Sequence, residues 1–143
     1  MPLTSEQRAD DLGCIIRAYA AATGDPEAAA IIIDFYSREG TFGAMPDPVR
    51  AFCQATAPTN LLDWRSAASF TPAFEEFTGL SLPVTLVRGG VTPAPIVDVT
   101  ELLASNIPRA RKSVVDGADH FLISTHPADC AEILEAHIAD LAG

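Results

Sequence analysis

The residue best placed for chemistry is His120, in the run VVDGADHF at 114–121. It follows a short apolar stretch, and Gly117 and Ala118 before it permit a sharp turn. An imidazole titrates near neutral pH, so a histidine on such a loop is suited to act as a general base. A catalytic histidine needs a nucleophile or a metal to act with, and as a general base it must reach its nucleophile within about 3 Å. Asp116 and Asp119 flank His120 and are expected to cap the loop. Asp119 is too close in sequence to orient the ring as a third catalytic group. His126 stands before Pro127 and is expected to cap the last helix. His137 lies among Ile133, Ile138 and Leu141 as a packed helix residue.

The three histidines form neither H-x-x-x-H nor H-E-x-x-H, so no metal site is expected, and no cofactor is implied. Cys14, in LGCII, sits within a helical run and is expected to be a small core residue. RGGVTPAP at 88–95 lacks the lysine and spacing of a phosphate loop and fits a strand-to-helix turn. Ser113 and Ser124 are the nearest serines in sequence, and neither stands on a tight strand-to-helix turn. Trp64, Phe70, Phe74 and Phe77 are expected to serve the core before any apolar ligand pocket.

The elements that must position these residues change character along the chain. The first part, residues 1–79, is expected to be helical. Thr4 and Gln7 have the spacing of a capping box, and Leu12, Ile15, Ile16 and Tyr19 recur at helical spacing up to Gly24. Asp25-Pro26 starts a second helix carrying three adjacent isoleucines, and Gly40 stops it. Asp47-Pro48 starts a third, with Val49, Phe52 and Cys53 expected inward. Thr71-Pro72 starts a short fourth, and the stretch PTNLLDWRSAASF fits no element clearly.

From residue 80 to 143 the order is strand, helix, strand, helix. LPVTLVRGG is a short strand ending in two glycines, and RKSVVDGADH is the second strand with its exit loop. Val99, Leu102 and Leu103 are expected on one face of the first helix. Cys130, Ile133, Leu134, Ile138 and Leu141 mark the last. That order predicts a parallel strand pair. The fold class is thus α/β, a mostly helical first half followed by a strand–helix–strand–helix unit.

With 143 residues, 48% of them hydrophobic, the chain is long enough for one buried core. Its net charge is −10 and its one basic cluster is Arg109, Arg111 and Lys112, which argues against nucleic acid and anionic membrane as partners. The longest apolar run, 28–33, is too short to span a bilayer. Three scattered cysteines and an N-terminus unlike a signal peptide point to a reduced, cytoplasmic setting.

The second half resembles the C-terminal end of the α/β-hydrolase fold. LPVTLVRGG is similar to its penultimate strand, VVDGADHF to its last strand and histidine loop, and THPADCAEILEAHI to its closing helix. Residues 1–79 resemble the helical cap that many members insert. The resemblance implies an incomplete α/β-hydrolase fold, with His120 in the position of the catalytic base. It also implies a parent activity of hydrolysing an ester or other small apolar substrate. The chain departs from that pattern in having no G-x-S-x-G nucleophile elbow, no Gly-rich oxyanion loop and no counterpart of the earlier strands. Thr92 stands near where an acid often follows the penultimate strand, and Asp98 is a distant substitute. The expectation is a protein inactive alone. The alternatives are a non-catalytic binding or assembly module, half of a split hydrolase, or a gene fragment. Two parallel strands leave both sheet edges open, which predicts a homo-oligomer or a partner chain carrying the missing strands.

Overall fold

A computed structural model describes residues 5–22, 24–25, 27–69 and 74–142. The chain divides into two compact units, Met1–Thr71 and Pro72–Gly143. The division precedes α5 (Phe74–Thr78), because α5 packs against the helix that follows β1 and so belongs with the strands. The expected division at residues 79 and 80 placed this short helix with the first half. The caps expected at Thr4, Pro26 and Thr71-Pro72 fall outside the described residues, as does Phe70.

The first unit is helical: α1 (Ser5–Ala21), α2 (Ala28–Tyr36), α3 (Thr41–Ala44) and α4 (Asp47–Ser69). Gly24 has φ +101 and Gly40 φ +85, left-handed values that glycine adopts without a Cβ penalty. Asp25 serves the start of α2, its Oδ1 accepting the Glu27 N–H at 2.8 Å. Tyr19, Ala28, Ala29, Ile32, Tyr36, Phe42 and Leu61 form the core, with Ile31 and Ile33 half-buried.

The stretch that fitted no element is the second half of α4, which runs on through Pro58. An interior proline loses a backbone hydrogen bond and costs about 3 kcal/mol. Tertiary contacts offset that cost. Tyr19 donates its hydroxyl to the Ala57 carbonyl at 2.9 Å, Leu61 is buried, and Trp64 stacks on Tyr36 with centroids 5.7 Å apart. Cys53, Ala57, Leu61 and Trp64 therefore define the inward stripe. Val49 and Phe52, expected inward, are exposed, Phe52 at 67%.

The second unit contains β1 (Thr85–Gly89), α6 (Ala94–Asn106), β2 (Arg111–Val115), α7 (Leu122–Thr125) and α8 (Pro127–Ala142). β1 and β2 pair in parallel, Thr85 opposite Arg111 and Gly89 opposite Val115. Among the described residues this is a two-stranded sheet. Successive strand side chains point to opposite faces. On one face Thr85 bonds His137 and Arg111 pairs with Asp140, so α8 covers that face. On the other, Arg88 and Lys112 both reach Glu101 of α6. The unit is thus a helix–sheet–helix stack, and the mostly helical chain has an α/β second half.

The helices do not face inward quite as their apolar letters suggest. In α6, Thr100 is buried and Leu103 half-buried, with buried Ile107 capping the helix, while Val99 and Leu102 are exposed. In α8, Cys130, Ile133 and His137 are half-buried, while Leu134, Ile138 and Leu141 are exposed.

Candidate functional site

Both strands end at the same side of the sheet, and their exit loops are joined. Gly90 N–H donates to the Val115 carbonyl at 2.8 Å, and Val91 N–H to the Ala118 carbonyl at 2.9 Å. Gly117 takes φ +72, so the chain after β2 turns sharply back over the end of β1. There Gly89 lets the two backbones touch. A Cβ on Gly89 would lie 2.3 Å from the carbonyl oxygens of both Ala118 and Asp119, a separation no side chain tolerates. Ala118 is fully buried in this contact.

His120 follows immediately, on an exposed turn five residues past β2. Asp119 Oδ1 accepts the Phe121 N–H at 2.8 Å, which agrees with the expected capping role and starts the turn into α7. The His120 ring meets Phe121 edge-on, centroids 6.2 Å apart. Partial burial pulls its imidazole below the ordinary value of 6.5, against the raising pull of the Asp119 carboxylate. A base held in its neutral form near pH 7 is competent to accept a proton.

The remaining candidates are dispersed. Ser113 lies within β2 and Ser124 within α7. Thr92, near the place where the resemblance puts an acid, is buried with its hydroxyl oxygen unpartnered. His126 ends α7, and its carbonyl accepts the Cys130 N–H at 3.2 Å, the first turn of α8. His137 bonds the Thr85 hydroxyl at 2.9 Å and fastens α8 to the sheet. Cys14, expected in a core, is exposed on α1, where its sulfur accepts from Arg17 at 3.0 Å. All three cysteines are free. Among the described residues no group of three or more histidines, cysteines or acids is gathered for a metal, and no helix is long and apolar enough to cross a membrane.

The basic cluster of the sequence does not exist as a surface. Arg111 and Lys112 are strand neighbours and point to opposite faces, paired with Asp140 and Glu101 respectively. Arg109, at φ 58, donates to the Ser81 carbonyl. Two features escaped the sequence reading. One is the close approach at Gly89, whose only signal was a glycine ending a strand. The other is Glu101 as the shared partner of Arg88 and Lys112, holding α6 to the sheet.

Beside β1, residues of α7 and α8 enclose an apolar groove of about 520 Å3, lined by Val87, Ile123, Pro127, Ala131 and Leu134 and floored by Thr85 and His137. A second groove, of about 460 Å3, runs between β2 and α8 and carries Asp116, Asp129 and Glu132. Comparison of the chain with protein-family models, curated proteins and solved structures finds no match.

Proposed function

We propose that the chain is an α/β-hydrolase-like protein whose second unit carries the last two strands of such a sheet, with His120 as the general base. The observation that supports this most is the location of His120. It sits on an exposed loop directly past the second of two parallel strands, bound back onto the end of the first. Ligands of open α/β sheets bind at this carboxyl end of the strands. By the resemblance, the substrate class is an ester or another small apolar molecule. The chain alone is inert, because the sequence contains no G-x-S-x-G elbow. Loss of the nucleophile removes most of the rate advantage of a serine hydrolase.

The test is turnover of short p-nitrophenyl esters by the purified chain and by His120→Ala, with a fluorophosphonate probe alongside. No turnover and no labelling are expected. Hydrolysis lost in His120→Ala would keep the base and overturn the inertness, and mass mapping of the probe would locate the nucleophile. Hydrolysis that survives His120→Ala would remove the base role.

A second reading, a non-catalytic assembly module, is favoured by the exposed apolar side chains around β1, of which Ile123 is 77% exposed. Contiguous apolar surface of this kind marks interaction sites.

A further inference from the structure

We propose that the free edge of β1 docks a second copy of this chain, the two β1 strands pairing antiparallel about a two-fold axis at Val87. This does not depend on the hydrolase-like reading. The parallel pairing engages Val84 and Gly90, which flank β1, through Arg111 N–H to the Val84 carbonyl (2.9 Å) and Gly90 N–H to the Val115 carbonyl (2.8 Å). Alternation along the strand then directs the amides of Thr85, Val87 and Gly89 to the outer edge. The Gly89 carbonyl accepts from Arg88 at 3.1 Å, which leaves a short edge centred on Val87. Such an edge is a template for another strand.

Charge selects the occupant. The chain carries −10, so copies repel wherever their acids meet. The groove along β2 contains Asp116, Asp129 and Glu132, and its Arg111 is already paired with Asp140. Self-pairing there would oppose carboxylates. The groove beside β1 contains no carboxylate, lysine or arginine, and its two polar side chains, Thr85 and His137, are bonded to each other. A second copy presents the same neutral apolar surface, so a two-fold contact matches it to itself. Antiparallel pairing about Val87 sets Thr85 opposite Gly89, brings the Val87 side chains together and adds Ile123 and Leu134, all three exposed in the single chain.

The experiment is multi-angle light scattering and sedimentation on the purified full chain at micromolar concentration. A dimer is expected. Ile123→Glu and Leu134→Glu should each weaken it about tenfold or more, since like charges across an interface are costly. Leu102→Glu, on exposed α6 surface, should leave it intact. A monomeric wild type, or a dimer indifferent to both groove substitutions, overturns the proposal. A dimer lost equally in Leu102→Glu does so too. Should the groove variants unfold by circular dichroism, Val87→Cys decides, in a background without Cys14, Cys53 and Cys130. Hydrogen-bonded antiparallel partners stand about 5.5 Å apart at Cα, within disulfide reach. Mild oxidation should yield a covalent dimer from Val87→Cys and none from Val114→Cys. Absence of the Val87 cross-link overturns the proposal.

Discussion

The Cα of Gly89 faces the main chain at Asp119 so closely that a Cβ would stand 2.3 Å from the Asp119 carbonyl oxygen. The end of β1 and the histidine loop are thus one packed unit, and the location of His120 depends on a hydrogen atom at residue 89. The obstructing atoms are backbone and cannot rotate away. Gly89→Ala should therefore cost on the order of 3 kcal/mol, the upper end of overpacking penalties. Urea unfolding measures it. The His120 ring signal should shift in the same variant, and unchanged stability would show that the loop is free to retreat.

Asp34 performs a similar service in the first unit. Its two carboxylate oxygens accept the N–H groups of Gly40 (2.9 Å) and Phe42 (2.8 Å), locking the turn that buries Phe42. Asp34→Ala should lose about 1–2 kcal/mol, the range of a lost cap. Asp34→Asn keeps one acceptor oxygen and should lose less. Thermal melts of the two variants test the order.

Glu101 accepts from Lys112 Nζ at 2.7 Å and lies 3.7 Å from Arg88. Its hydrogen bond with Lys112, reinforced by the charges of Lys112 and Arg88, holds the carboxyl below its ordinary value of 4.5. A carboxylate with a depressed folded value stabilises the fold above its unfolded value, and that contribution is lost as pH falls through the folded one. Glu101→Gln should flatten the acid side of the stability profile below about pH 4.5. The difference from wild type should shrink in high salt, because the pair is exposed.

For His120 the sign is opposite in origin but alike in direction. Burial lowers its imidazole below 6.5, so the unfolded chain binds the proton more readily. Its contribution is complete above 6.5 and is lost as pH falls toward the folded value. The wild type should therefore lose stability between neutral pH and mild acid, and His120→Gln should lose less. An NMR titration should place the ring below 6.5, and a midpoint above that value would contradict the burial.

Much of this architecture was legible because it is local. The small residues at Gly117 and Ala118 and the His126-Pro127 helix start mark the loop that holds His120. The strand–helix–strand–helix order of residues 80–143 gave the parallel pair, whose register the structure supplies. These signals act over a few residues, through backbone sterics and hydrogen bonding, and need no distant partner.

Tertiary structure decided the rest. α4 continues past Pro58 because Tyr19, 38 residues earlier, hydrogen-bonds Ala57, and because Leu61 and Trp64 find partners in the same unit. Its inward stripe follows those partners and leaves Phe52 in solvent. Arg111 and Lys112, adjacent in sequence, serve opposite faces once strand alternation applies, so a basic run became two separate ion pairs. Sequence alone determined that a histidine follows a strand on a tight loop. Only the packed backbones of Gly89 and Asp119 determined where that imidazole stands, since a close approach is a property of two segments and neither segment encodes it by itself.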